Sequence, residues 1–421
     1  MKMVVSIRQR SFARYVAFDL AEAARRLGHV VHWIDFDALQ QGTAARGPDA
    51  YREALGRVDE QVRAFAPDLV LSYGIEAIVP PFLREVPGDS WTLADAARAP
   101  VACFFYDFGV PFDRPVDAAT APWVARAQRA DVRVFCWDRQ ALADLQRYGV
   151  AAEYLPMAVN EAMFFPPPGD GLRDLPVVFS GGPTPERMAA LRAVAPHGLA
   201  IYGYDEAAWT TDPVLAASYR GFVPERDRLR DIYQRARVTL NVTRAHGRAS
   251  LNMRVFEAMA CGCTVITDQA EEAAALFTPG EHLVTIDRDE SPAAVVSRVL
   301  ADEARRAAIG AHGAACVRRD HTYVERLSSI APQLKALVSE SRAWAFWDSF
   351  LAVDPDKALR FLGVLRAERS LLREDLWHMA EAEALGRLGR RALALRACRE
   401  AQRRNPALLG LDRLAEQLQT H

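Results

Sequence analysis

The residues best suited to chemistry in this 421-residue chain lie between Arg254 and Asp268, in the run RVFEAMACGCTVITD. The pattern predicts an amphipathic helix, a glycine stop and a short buried strand. On a helix, Arg254 and Glu257 stand one turn apart and share a face. Phe256, Met259 and Ala260 lie round the other side, suited to packing on a sheet. Gly262 can take the left-handed backbone that closes a helix, and Thr264 to Thr267 is β-branched throughout. A cation and a carboxylate side by side at a sheet edge suit a nucleotide diphosphate, because a guanidinium can bridge two phosphate oxygens.

Two loops could supply further contacts. The segment before the helix, Thr243 to Asn252, is polar and carries Arg244, His246, Arg248, Ser250 and Asn252. Taken singly, each of these also reads as a surface residue. Earlier, Ser180-Gly181-Gly182-Pro183 follows an apolar strand and precedes a helix starting near Pro185. Small residues there would let phosphate oxygens approach backbone N–H groups, although a bare Gly-Gly pair also serves as a simple turn.

These groups need a scaffold. Strand signals at Val4–Ile7, His29–Ile34, Leu69–Ser72, Val101–Tyr106 and Val132–Trp137 alternate with helical patterns. A second series follows: Val177–Phe179, Leu199–Tyr202, a helix near Arg226–Ala236, the strand Val238–Val242, then Leu283–Ile286 and helices from Pro292. Such alternation predicts parallel sheets wrapped by helices. The Pro-rich stretch Phe165–Gly171 reads as a stiff linker between the two series, which places the site in a cleft between two α/β domains. The expected division is 1–165, 166–338 and a helical tail over 339–421. Small residues near Ala382 and the closing Asn405-Pro406 give the tail a tetratricopeptide-like look. A plain helical cap or an oligomerisation element fits the same pattern.

Composition excludes several classes. Half of the residues are apolar, a quarter are charged and the net charge is −2, so nothing favours nucleic acid or an anionic membrane. Lys occurs only at positions 2, 335 and 357, and this Arg and Ala bias fits a GC-rich bacterial genome. The six cysteines lack metal-site spacing and read as small buried hydrophobes. The apolar start at Met3–Ile7 is too short for a signal peptide, and no run reaches the ~20 residues of a membrane span. A cytoplasmic location is expected.

The second series resembles the C-terminal half of GT-B glycosyltransferases, in particular the CgeB-like branch. The resemblance rests on Tyr233 with Ala236, Leu240-Asn241, Arg254 to Ala258, Gly262, Thr267-Asp268, Leu276-Phe277, Glu281-His282, and His321-Thr-Tyr323 with Arg326. It implies two Rossmann-like domains and transfer of a sugar from a nucleotide diphosphate to a saccharide, glycolipid or protein acceptor, without a metal or other cofactor. Glu257 would then accept hydrogen bonds from the ribose. Gly181, Gly182, Arg244, Arg248, Ser250, Asn252 and Arg254 would hold the rest of the donor. The backbone of Gly221-Phe222-Val223 would receive the base, and Tyr202-Gly203-Tyr204, at the end of another strand, is placed to line the same pocket.

One position departs from the family pattern. Many retaining relatives carry a second glutamate eight residues before the one matched by Glu257, where this chain has Ala249. Stereochemistry therefore does not carry over. An inverting enzyme needs a general base on the acceptor side, for which Asp107, just past a strand, is best placed, ahead of Asp113 and His32. A structural aspartate in a turn fits Asp107 too. A nucleotide-sugar epimerase and a non-catalytic scaffold acting through the helical tail are the alternative functions.

Overall fold

The computed structural model describes residues 1–7, 13–73, 91–105, 121–169, 171–242, 250–367 and 373–420. They form two compact units built from interleaved segments. The first unit comprises Met1–Cys136, Ala141–Tyr154 and Leu327–His421; the second comprises Trp137–Gln140 and Leu155–Arg326.

In the first unit, strands β1 (Lys2–Ile7), β2 (Val30–Asp35), β3 (Leu69–Tyr73), β4 (Val101–Phe105), β5 (Val132–Cys136) and β6 (Ala152–Tyr154) form one parallel sheet in the order β2-β1-β3-β4-β5-β6. All five residues of β3 are buried, as expected of a parallel strand covered on both faces. The strand β6 has no strong sequence signal: it is three half-buried residues at the sheet edge.

The C-terminal helices belong to this unit rather than standing as a separate body. Buried polar groups fasten them. The Gln128 amide donates to the carbonyls of Tyr148 (2.7 Å) and Ala407 (2.8 Å), while its oxygen accepts from the Leu409 N–H at 2.9 Å. The Asn405 amide donates to Gly149 O at 3.1 Å and to Asp375 at 2.8 Å. The Asn-Pro pair that closes the helical hairpin is thus also its attachment point.

In the second unit, β7 (Leu175–Ser180), β8 (Leu199–Tyr202), β9 (Ala236–Asn241), β10 (Thr264–Thr267) and β11 (Val284–Thr285) form a parallel sheet in the order β11-β10-β9-β7-β8. The chain runs outward from β7 to β8 on one side and from β9 to β10 and β11 on the other. The strand order therefore reverses between β7 and β9, and the carboxyl ends of such a pair border a natural crevice.

The Pro-rich stretch is not the connection between units that its stiffness suggests. It lies within the second unit, where Phe164 is fully buried and the Phe165 carbonyl accepts from the Gln234 amide at 2.8 Å. Arg318 donates to the carbonyls of Glu161 and Phe164, both at 2.9 Å. Stiffness here keeps a strap of chain laid along the domain surface.

Next to that strap, the buried Arg326 guanidinium donates to the carbonyls of Pro156 (3.0 Å) and Met157 (3.0 Å) and lies 2.8 Å from His321 Nδ1. Burial, with the Arg326 cation beside it, pushes the His321 imidazole down to about 4 from its ordinary 6.5. A folded-state value below the unfolded one leaves this contribution to stability intact above about pH 6.5, and it is lost as the pH falls toward 4. Replacing His321 by Gln is expected to flatten that acid limb in thermal melts recorded from pH 7 to pH 4.

All six cysteines are buried, and burial raises the Cys261 thiol well above its usual range. No described helix is long and apolar enough to cross a membrane.

Candidate functional site

At the switch point, β7 runs out into Ser180-Gly181-Gly182 and then the helix Pro185–Val194, whose N-cap Thr184 accepts from the Arg187 N–H at 3.3 Å. On the β9 side, residues 250–252 lead into the helix Met253–Ala260. Asn252 is its N-cap, accepting from the Arg254 N–H at 3.1 Å. The Asn252 amide donates to Asn241 Oδ1 at 2.7 Å, and the Asn241 amide to Thr267 Oγ1 at 3.0 Å. Three side chains thus tie the start of this helix to the ends of β9 and β10. The helix closes as its residues predict: Gly262 has φ +74°, and the Cys263 N–H returns to Ala258 O at 3.1 Å.

This frame carries the Arg254 guanidinium across to the β7 loop. Its Nη1 lies 3.2 Å from where a Cβ on Gly181 would stand, so the cation lies against a stretch of backbone that has no side chain. Arg187 supports the loop from behind: it is 2% exposed and donates to Val242 O at 2.7 Å and to Gly182 O at 3.1 Å. Ser180, Tyr233, Asn241 and Arg254 line a small cavity at this point. Two helix N-termini and two guanidinium groups make the surroundings of Gly181 favourable to an anion.

Glu257 lies one turn on and is buried, only 2% exposed. Its carboxylate lies 3.9 Å from Arg226 Nη2, and the Arg226 guanidinium rests over the Phe164 ring, 5.2 Å from its centroid. The fully buried Tyr233 stands in the fields of both Glu257 and Arg254, and burial followed by the Glu257 charge raises its phenol far above the ordinary range. Arg226 is a site residue that sequence reading misses. It comes from a different helix and carries no local signal beyond a basic first turn.

On the other flank, Tyr202 is half-buried at the end of β8, and its hydroxyl is raised by burial, opposed by the charges of Arg235 and Arg220. The residue standing over the glycine loop is instead Tyr204: a Cβ on Gly182 would come within 2.1 Å of its ring. Tyr204 and Phe222, 39% and 44% exposed, meet edge to face with centroids 6.2 Å apart. Val223 beside them is half-buried.

The remaining expected residues divide in two groups. Ser250 is buried and accepts from the Arg139 N–H at 3.1 Å, a bond that positions backbone. His32 lies mid-strand in β2 with its ring 5.4 Å from that of Phe65. Asp107 and Asp113 fall within 106–120, and Arg244, His246, Arg248 and Ala249 within 243–249; both stretches lie outside the described residues.

Residues 186–331 match a family model described as glycosyl transferase-like. No curated protein matches the chain. Among solved structures, Anabaena HepE in complex with UDP-glucose aligns at TM-score 0.58 and 17% identity, over 80% of this chain and 100% of that one. Sucrose-phosphate synthase from Thermosynechococcus elongatus aligns at 0.55 and 17%, with the same coverage. AviGT4, a glycosyltransferase involved in avilamycin A biosynthesis, aligns at 0.51 and 16%, over 80% of this chain and 98% of that one. The two parallel-sheet α/β units thus resemble those of GT-B glycosyltransferases, with a helical C-terminal region added.

Proposed function

We propose that this chain is a glycosyltransferase of the CgeB-like branch that takes a nucleotide-diphosphate sugar at the β7–β9 switch point. The observation that carries the reading is the Arg254 guanidinium lying against Gly181 between two helix N-termini. Breaking the bond between the sugar and its diphosphate leaves negative charge on the departing phosphate oxygens. A fixed cation and oriented backbone N–H groups stabilise that charge as it develops, which is the main requirement for catalysis here. In this reading the chain's own arginines take the part that a metal plays elsewhere, and Arg244 and Arg248 add to Arg254.

Glu257 takes the ribose hydroxyls, its carboxylate steadied by Arg226. Phe222 and Val223, with Tyr202 and the exposed Tyr204 ring, receive the base. The HepE complex holds UDP-glucose, which makes uridine the first base to test. The acceptor is a saccharide, glycolipid or protein, activated in the first unit by Asp107 as general base. The helices Glu374–Arg387 and Arg391–Arg404 form a tetratricopeptide-like pair, a reading supported by the small buried residues Ala382, Ala397, Cys398 and Ala401 that pack together across them. We place the enzyme in a bacterial cytoplasm.

Calorimetric titration with UDP, ADP, GDP and dTDP is the direct test. Micromolar binding of at least one is expected, followed by slow hydrolysis of the matching nucleotide sugar in the absence of acceptor. Failure of all four to bind would remove the donor reading.

A further inference from the structure

Residues 250–252 connect the 243–249 stretch to the helix that carries Arg254, and each is tied down separately. Ser250 Oγ accepts from the Arg139 N–H, and Asn252 caps the helix and bonds Asn241. Between them, the Leu251 N–H donates to Glu272 Oε2 at 2.9 Å. Glu272 comes from the next helix, Ala270–Leu276, and is 3% exposed. A carboxyl group so thoroughly buried, with a backbone amide as its bonded partner, is costly to place and points to a specific task.

We propose that Glu272 is a positioning residue for the donor site: by holding Leu251 it fixes the register of the Asn252 cap and hence the direction of Arg254. This inference rests on the donor reading above. Removing the acceptor leaves the Leu251 amide buried without its bond, and the first turn of the Arg254 helix is free to shift.

The same arrangement makes the anchor sensitive to pH. Burial pushes the Glu272 carboxyl up to about 8; the Leu251 N–H, Arg139 and Arg326 oppose the rise, and Asp138 adds to it. His321, which lies against Arg326, stays neutral in this range. At pH 7 Glu272 is mostly protonated and its carbonyl oxygen suffices for Leu251. Above pH 8 a carboxylate forms beside Asp138 with little access to water, and loosening of residues 250–252 relieves it.

UDP titrations from pH 7 to pH 9, with hydrogen exchange on the ligand-free protein, test this. For the wild type the UDP Kd is expected to rise about three- to tenfold across the range, with faster exchange at residues 250–256 than in Glu272→Gln at the same pH. In the Gln variant an uncharged oxygen accepts the same bond, so the pH-dependent difference vanishes; ionisations of UDP itself are common to both proteins and cancel. Glu272→Ala is expected to weaken UDP about tenfold at pH 7 and to speed exchange at Leu251. Identical pH profiles and exchange in the wild type and Glu272→Gln would overturn the proposal, as would wild-type exchange at Leu251 in Glu272→Ala. If no nucleotide diphosphate binds the wild type while the exchange differences appear, the donor reading fails and the anchoring role of Glu272 stands.

Discussion

Arg254→Ala is expected to weaken UDP binding ten- to a hundredfold while leaving the melting temperature within a degree or two of wild type. Arg254 is half-buried and lines a small cavity, so removing its side chain creates no large void in the core. What is lost is a set of charge-assisted hydrogen bonds to phosphate, each worth roughly 1.5–3 kcal/mol. Arg254→Lys separates charge from geometry: a point charge keeps the attraction but cannot bridge two oxygens, so an intermediate affinity is expected. Calorimetry with UDP reads both variants. UDP affinity equal to wild type in Arg254→Ala would place the diphosphate elsewhere.

The second large effect comes from a residue with no functional group. A Cβ at Gly203 would stand 2.2 Å from the Gly181 carbonyl oxygen and 2.8 Å from Trp209 Nε1. Neither neighbour yields readily. Gly181 is held by its N–H bond to Tyr202 O at 3.1 Å, and the buried Trp209 indole donates to Tyr204 O at 2.9 Å. Gly203→Ala is therefore expected to cost about 1–3 kcal/mol of stability, in the range of overpacked cores. It should also weaken UDP binding, because the displaced backbone is the one Arg254 lies against. Gly42→Ala is the control: nothing lies within 4 Å of its Cβ position in the helix Phe36–Thr43, so the change should be neutral or stabilising by roughly 0.5–1 kcal/mol. Equal melting temperatures for the two variants would show that the Gly203–Gly181 approach is not tight in solution.

Much of the second unit is legible along the chain. The strand Thr264–Thr267, the helix before it and the stop at Gly262 follow from β-branching, 3.6-residue periodicity and the left-handed freedom of glycine, all of which act within a few residues. The position of Arg254 and Glu257 on one helical face is set in the same way. Local rules also locate β7, β8 and β9 to within two or three residues.

What local rules cannot supply is which distant segments meet. Arg226 beside Glu257, Arg187 on the Val242 carbonyl, and Glu272 on the Leu251 amide are contacts across 21 to 55 residues of sequence that turn on strand order and helix packing. Tyr204 rather than Tyr202 stands over the glycine loop because the chain turns at Gly203, where the Tyr202–Tyr204 spelling gives no direction. The Pro-rich strap and the helical tail make the same point on a larger scale. Stiffness and helical periodicity determine what those segments are, but the carbonyls presented to Arg318, Gln128 and Asn405 decide where they lie. The sequence by itself determined the elements and the chemical groups of the site; tertiary structure decided its neighbours, because burial and buried hydrogen bonds depend on contacts that no local pattern encodes.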